Sequence, residues 1–378
     1  MTVTIQQSNQ VLTALVIGGT GPTGHFIVNG LLTRGYRVAI LHTGNHEVIE
    51  IPAEVEHIHT DPYDQACLTE ALADRKFTLC IAAYGRLRVI ADLMRERCKE
   101  FISIGGQPCY LGYMPPRVHQ PEGLVVPTDE HAELVSAPEQ DEKGYRIVKT
   151  ERAVFQLQPH ATHFRYPIVY GPYQALPREW SIVKRIIDGR PHIILPDDGL
   201  SLLTMGYAEN LAHAVLLAVD QPAAARGEIF NCGDSHTLTL RQMVEVIAAG
   251  LGHQWRIVSM PYEFARPAKP LLMQPTTTHR LMDISKLQQR LAYRDILTPQ
   301  AGLIKTANWL LKNPLAADDW QVKALQDPFD YLSEDRLISA WDKAIASIPS
   351  IEFDPQPGYT MGYSGPGGRP RSNKEFIE

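Results

Sequence analysis

Val11-Leu12-Thr13-Ala14-Leu15-Val16-Ile17-Gly18-Gly19-Thr20-Gly21-Pro22-Thr23-Gly24 decides the fold: an apolar run enters a turn whose glycines recur as GxxGxxG. Behind it a helix-period stretch ends near Arg34-Gly35, and a second apolar run, Val38 to Leu41, follows. That is a strand, helix, strand unit. Glycine is needed at such a turn because backbone N–H groups must approach a pyrophosphate at a helix N-terminus, where any Cβ would intrude. A lone glycine triplet says little, but here the flanking strand and helix and the second strand about 20 residues on complete the context. Gly18, Thr20, Gly21, Pro22, Thr23 and Gly24 are therefore candidate cofactor contacts, and the expected cofactor is a nicotinamide dinucleotide.

The alternation continues outward. Val55 to His59 reads as a short strand, Ala66 to Ala73 as a helix, Thr78 to Ala83 as a buried strand, Leu87 to Lys99 as a helix and Phe101 to Ile104 as another strand. Parallel strands need crossover connections, so this alternation predicts a doubly wound α/β sheet. A loop to about Gln140 precedes a helix over Lys143 to Leu157 and a core strand over Phe164 to Val169. Helices over Trp180 to Asp188, Ala208 to Val219 and Leu240 to Leu251, with a short strand Glu228 to Asn231, suggest a second lobe.

The 378 residues, at about 150 per domain, allow two to three domains. Hydrophobic residues make up 44% and charged residues 21%, which excludes a disordered or fibrous chain. With 36 Lys and Arg against 42 Asp and Glu, the formal charge of -6 offers no general attraction to nucleic acid or an anionic membrane. Five scattered cysteines without a CxxC, no signal-like N-terminus and no run of about 20 apolar residues fit a protein of the reducing cytoplasm. His57 and His59 share a strand face, but no third ligand stands at metal spacing, so no metal is expected.

The end of the second strand normally separates NAD, whose ribose an acidic residue bonds, from NADP, whose 2′-phosphate a basic one accommodates. His42-Thr43-Gly44-Asn45-His46 offers neither. The missing carboxylate leaves room for a phosphate, so NADP is favoured over NAD, with His42 and Thr43 as contacts. Further on, Tyr145 and Lys149 stand four apart in a predicted helix and therefore share a face. A neighbouring ammonium favours phenolate, bringing a group that titrates near about 10 toward acid/base work.

Taken together these residues resemble the short-chain dehydrogenases/reductases, in the extended or atypical branch of NAD-dependent epimerase/dehydratase proteins. The resemblance runs from Val11 to Pro314 and rests on Gly18 to Gly24, Thr60-Asp61-Pro62-Tyr63-Asp64, Ile81-Ala82-Ala83-Tyr84, Tyr145 with Lys149, and Phe164 to Pro172. Phe230-Asn231-Cys232-Gly233, Asp283 to Tyr293 and Gly302 to Leu311 match more loosely. It implies a Rossmann-type doubly wound parallel sheet with a smaller C-terminal α/β substrate lobe. It further implies that Asp61, beside Pro62, meets the adenine, that Ala82, Ala83 and Tyr84 line the cofactor path, and that Pro167 and Val169 pack near the nicotinamide. Lys149 would bond the nicotinamide ribose and Tyr145 would be the acid/base.

One departure stands out. The family places a Ser or Thr four residues before the tyrosine of the loop after the fifth strand, and that register puts Gly106 in the slot. Gln107 and Tyr110 are the nearest donors that could replace the hydroxyl. The expected organisation is a cofactor-binding core over 11–175 with later segments returning to it, a mainly substrate-binding lobe over 176–314, and an extension over 315–378. That extension holds a helix, Ser333 to Ile345, and a Gly/Pro-rich tail, and is expected to dock on the core or on a second copy, forming a homodimer.

The expected function is an NAD(P)-dependent oxidoreductase acting on a ketone or secondary alcohol of a small organic substrate. An epimerase, dehydratase or lyase with a recycled, tightly bound cofactor is the alternative, and a non-catalytic NAD(P) sensor, suggested by Gly106, is a third reading.

Overall fold

The computed structural model describes residues 11–83, 85–114, 120–272 and 274–358, so Tyr84 and most of the Gly/Pro tail lie outside the described residues. The chain divides into two compact units, Met1–Phe329 and Asp330–Glu378.

In the first unit the opening stretch forms strand β1 (Thr13–Ile17) and helix α1 (Gly24–Thr33). There follow β2 (Arg37–His42), β3 (Glu56–His59), α2 (Gln65–Leu72), β4 (Phe77–Ala82), α3 (Leu87–Leu93), β5 (Cys98–Gly106), α4 (Glu142–Leu157) and β6 (Thr162–Tyr166). The later half contributes β7 (Ile168–Tyr170), α5 (Trp180–Ile187), β8 (His192–Pro196), β9 (Met205–Tyr207), α6 (Ala208–Asp220), α7 (Pro222–Ala225) and β10 (Ile229–Asn231). Then come α8 (Leu240–Gly250), β11 (Arg256–Met260), α9 (Lys269–Leu272), α10 (Ser285–Leu291), α11 (Pro299–Lys312) and α12 (Trp320–Leu325). The second unit holds α13 (Tyr331–Ala346), whose N-terminus is capped by the Asp330 side chain accepting from the Ser333 N–H.

The main sheet has seven strands in the order β10-β6-β5-β4-β1-β2-β3, every neighbouring pair parallel. Its central strands β1, β4 and β6 are buried on both faces, as a parallel sheet with helices on each side requires, while the edge strand β3 is largely exposed. In β1, Ala14 and Val16 enter one core cluster while Leu15 and Ile17 enter the other. The same alternation sends Val38 and Ile40 one way and Ala39 and Leu41 the other. The doubly wound Rossmann-type sheet read from the sequence is the observed fold.

Three local differences have physical reasons. The helix expected over Leu87 to Lys99 stops at Leu93, because Cys98 and Lys99 are claimed by β5, where Cys98 pairs with Phe77. The strand expected over Phe164 to Val169 is two strands: Pro167 has no N–H for a ladder, and beyond it Ile168–Tyr170 leaves the main sheet to pair with β9. The strand near Glu228 to Asn231, read with the second lobe, is the seventh strand of the main sheet, paired with β6. Strands β8 and β11, paired with each other, carried too short a pattern to be read.

Residues 315–329 pack in the same unit as the sheet. Gln321 donates to the Gln174 and Ala175 carbonyls, and Asp327 forms a buried ion pair with Arg185, Oδ2 to Nη1 at 2.7 Å.

Candidate functional site

In a parallel sheet all carboxyl ends lie along one edge, and the first of them here is the glycine turn. Gly18 adopts φ +89°, which only glycine takes without strain. A Cβ on Gly24 would lie 2.2 Å from the Gly19 carbonyl oxygen, so that position must be glycine for α1 to sit this close to β1. Gly21 is different, because a Cβ there would meet only the Gly18 oxygen, at 3.4 Å. The protein itself does not require glycine at 21, whereas a ligand lying against the backbone would. Helix α1 has no side-chain cap and no acidic residue in its first turn, so its positive end is left for an anion. These features fit a dinucleotide pyrophosphate.

Around that edge, Ala83 N–H donates to the Ile17 carbonyl and buried Ala82 closes β4. The Asp61 carboxylate is exposed and accepts from the Tyr63 N–H at 2.8 Å, while Pro62 is buried against Gly85. Thr43 is exposed. His42 is buried, and its ring faces a cluster rather than open solvent: Nε2 lies 3.1 Å from His57 Nδ1 and 3.7 Å from the Glu47 carboxylate. Burial lowers the His42 pKa, with Glu47 opposing that shift.

Helix α4 carries Tyr145 and Lys149. Its buried stripe is Gly144, Val148, Glu151 and Val154, which leaves Tyr145 half-buried and Lys149 exposed. Among the described residues, neither the Tyr145 hydroxyl nor the Lys149 ammonium has a hydrogen-bond or ion-pair partner. Gly144 lets the helix approach: a Cβ there would lie 2.7 Å from the Pro108 carbonyl oxygen and 2.7 Å from Val135. Sequence reasoning passed over Gly144, although a glycine beside a candidate acid/base tyrosine inside a helix is a visible signal.

The helix is clamped from beneath. Arg165 on β6 donates twice to Glu151, Nε at 2.9 Å and Nη2 at 2.8 Å, with both groups buried. His163 Nε2 lies 3.3 Å from the same carboxylate, and His163 Nδ1 meets the Ser103 hydroxyl at 2.7 Å. Burial alone would raise the Glu151 pKa, but the hydrogen bonds and charge of Arg165 outweigh it and hold the carboxyl below its usual range. Burial pushes His163 down to about 4, with Glu151 opposing and Arg165 assisting.

The loop after β5 answers the question of the missing hydroxyl. Gly106 is extended, at φ -144°, and a Cβ there would meet only Pro108 Cδ at 3.3 Å and the Tyr166 oxygen at 3.9 Å. The slot has room for a side chain and holds none. The two suggested substitutes are committed elsewhere. Tyr110 is fully buried, its hydroxyl donating to Asn231 Oδ1 at 2.6 Å and accepting from Arg165 at 2.8 Å, and burial raises its pKa well above that of a free phenol. Gln107 is fully buried with its amide N–H donating to the Cys232 carbonyl at 2.8 Å. Tyr110 ties the loop to β10 and Gln107 ties it to the residue after β10, so both hydrogen-bond donors expected to replace the missing hydroxyl are already engaged by the core. Pro167 is buried at the β6–β7 break, and Val169 is half-buried beside it.

A pocket in the later half of this unit is lined by residues that include Tyr170, Arg178, Ser201, Asp234, Thr237 and Gln274. Arg178 is 3% exposed, yet its Nε has no partner and its Nη2 meets only thioether sulfurs, Met205 Sδ at 2.6 Å and Met243 Sδ at 4.0 Å. Gln274 Nε2 and Arg280 Nη2 are likewise buried donors without partners among the described residues. Leaving such a group unpaired costs about 1–3 kcal/mol, more when charged. Of these donors, Arg178 and Gln274 line the pocket and Arg280 lies outside its lining. Arg280 donates to the Tyr113 carbonyl at 2.6 Å, and Tyr113 belongs to the buried cluster against which Tyr145 packs. Burial lifts the Asp234 carboxyl to about 6, against donated hydrogen bonds from Tyr170 and Asn210.

All five cysteines are free thiols, and no helix among the described residues is long and apolar enough to cross a membrane.

Known proteins resemble this chain in part of its sequence and in its fold. Residues 143–233 match the model of the NAD dependent epimerase/dehydratase family. An uncharacterized protein of Escherichia coli (strain K12), YbjS, is 27% identical over 175 residues, 40% of this chain and 50% of the relative. A UDP-D-apiose/UDP-D-xylose synthase of Oryza sativa subsp. japonica is 34% identical over 82 residues, 21% of each chain. The chain spans about half the length of YbjS, and less of the synthase. Among solved structures, a UDP-glucose 4-epimerase with UDP-glucose from Thermotoga maritima superposes with a TM-score of 0.62 at 18% identity, over 80% of this chain and 99% of that one. A dTDP-glucose 4,6-dehydratase from Bacillus anthracis in complex with NAD gives 0.61 at 16%, over 83% and 100%. The family resemblance drawn from the motifs is borne out by the model match over 143–233 and by the shared fold.

Proposed function

We propose, from the premise that this is an enzyme of the NAD-dependent epimerase/dehydratase kind, that it interconverts a secondary alcohol and a ketone on an anionic organic substrate. The observation that carries the reading is the unengaged pair on α4: among the described residues the Tyr145 hydroxyl and the Lys149 ammonium have no hydrogen-bond or ion-pair partner, while the nearby Tyr110 hydroxyl is consumed by the core. The glycine turn, with Ala82, Ala83 and Asp61 along the same edge, would hold the dinucleotide. When bound, its nicotinamide supplies or takes the hydride at the substrate carbon.

The remaining work falls to side chains of this chain. Tyr145 moves the proton at the substrate oxygen, and Lys149, one helical turn on, fixes the polarity of that phenol and the position of the ribose. With no hydroxyl at Gly106, the substrate oxygen loses one preorganised donor, typically worth a hundredfold to a thousandfold in rate. Binding must therefore do more of the alignment. The unpaired donors of Arg178 and Gln274 call for a carboxylate, sulfonate or phosphate, which would anchor the substrate remote from the reacting carbon. NADP is the expected form of the cofactor, since β2 ends without a carboxylate of its own.

A second reading, in which the hydride returns to the same substrate, is favoured by the family matched over 143–233 and by structural neighbours that are epimerases and dehydratases. One set of experiments separates them. Purified protein is given NADPH or NADH with a panel of anionic ketones, and product is followed alongside cofactor absorbance. Net cofactor oxidation supports the first reading; product without it, and nicotinamide that co-purifies, supports the second. Either way Tyr145→Phe is expected to lose at least about a hundredfold in turnover, and Arg178→Met to raise KM for the anionic substrate with a smaller change in kcat. Undiminished turnover in Tyr145→Phe would remove the proposed role of that residue.

A further inference from the structure

We propose that His42, Glu47, His57 and His59 form a zinc-class divalent metal site at the outer edge of the main sheet. Strand pairing builds it. His57 and His59 are two residues apart on β3 and so share a face, and His42, the last residue of β2, is the register partner of His59. The loop after β2 then returns Glu47 over the three rings.

The distances are those of a ligand shell. His42 Nε2 is 3.1 Å from His57 Nδ1, and the Glu47 oxygens are 3.2 Å from His57 Nδ1, 3.3 Å from His59 Nε2 and 3.7 Å from His42 Nε2. All four ligand atoms lie within 4.8 Å of one another. A tetrahedron with metal–ligand bonds of about 2.0–2.1 Å has edges of about 3.3–3.4 Å; the four spacings given are close to that, and the remaining pairs, within 4.8 Å, would close by side-chain rotation on binding. Three imidazoles and one carboxylate are a borderline-soft set suited to zinc and unlike the all-oxygen shells of calcium or magnesium. No expectation of a metal came from the sequence, because the ligands are spread over two strands and a loop. Loading has one local cost: His42 Nδ1 accepts from the Gly44 N–H at 3.3 Å, and must take up the ring proton when Nε2 binds metal.

The site adjoins the end of β2, where His42 is also an expected cofactor contact, and its test needs neither substrate nor cofactor. Full-length, untagged protein is dialysed against chelator and titrated with Zn²⁺, with thermal unfolding followed in parallel; Co²⁺ is used as a spectroscopic replacement. The expected result is one equivalent bound, a rise in Tm, and the strong visible bands of four-coordinate Co²⁺. His59→Ala and Glu47→Gln, both at exposed positions, should keep the metal-free Tm while weakening binding by about a hundredfold or more and losing the Co²⁺ bands. Absence of a tight equivalent in the unmodified chain, or binding unchanged in both variants, overturns the proposal and leaves a histidine–carboxylate hydrogen-bond cluster.

Discussion

Gly144 and Pro108 meet backbone to backbone, so closely that a Cβ on Gly144 would lie 2.7 Å from the Pro108 carbonyl oxygen. That contact sets how near Tyr145 comes to the loop after β5. Gly144→Ala would force α4 outward, at a cost of about 1–3 kcal/mol in stability. A displacement near 1 Å costs on the order of a hundredfold in turnover. Denaturant unfolding and steady-state kinetics on the one variant measure both, and turnover preserved alongside normal stability would show that the approach does not matter.

Gly106 can be given back a hydroxyl. Its backbone is extended and only Pro108 Cδ, at 3.3 Å, must yield. Gly106→Ser should fold within about 1 kcal/mol of the parent. If the slot faces the substrate oxygen, turnover should rise, by about tenfold or more given the usual worth of such a donor. Kinetics at saturating cofactor is the check, and a serine that left kcat and KM untouched would place the reacting oxygen elsewhere.

Two glycines of the first turn should behave oppositely. Gly24→Ala drives a Cβ to 2.2 Å from the Gly19 oxygen and should destabilise the fold by about 2–3 kcal/mol. Gly21→Ala meets nothing closer than 3.4 Å, so stability should stay within about 1 kcal/mol while dinucleotide affinity falls. Thermal unfolding with and without NADPH separates the two. A Gly21→Ala protein that bound the dinucleotide normally would remove the pyrophosphate from this turn.

His163 makes a statement about pH. Its folded pKa is about 4, below the unfolded value, so on acidification the unfolded chain takes the proton first. The stability it contributes is complete above about pH 6.5 and drains away between there and about 4, on the order of 3 kcal/mol in all. Urea unfolding at pH 7 and pH 5 should show the slope, and His163→Asn should flatten it over that window. The buried Glu151 carboxyl, held below its usual range by Arg165, adds a loss of the same sign only at more acid pH.

What the sequence disclosed was whatever repeats along the chain. The glycine turn and the alternating apolar runs stand in order, so the parallel sheet and the positions of Tyr145 and Lys149 could be read directly. Features made by pairing distant residues could not. Tyr110 looked like a donor at the slot until Asn231, 121 residues on, engaged its hydroxyl. Arg178 resembles any arginine after a proline until burial leaves its Nε without a partner. His42 and His57 are 15 residues apart and meet only through strand register.

The place of β10 in the sheet bears on how the protein is made. The groups that complete the clamp beneath α4 arrive late: Asn231 accepts from Tyr110, and Cys232 accepts from Gln107, across 121 and 125 residues. A ribosome that has released everything through β6 has released Tyr145, Lys149, Glu151 and Arg165, yet the Tyr110 hydroxyl and the Gln107 amide still have no acceptor there. Local order can form early, but the edge beside β6 stays open to mispairing until residue 231 emerges. Chains stalled between β6 and β10 should therefore be the ones that recruit chaperones, and helix α4 should gain protection from proteolysis in one step when the seventh strand docks.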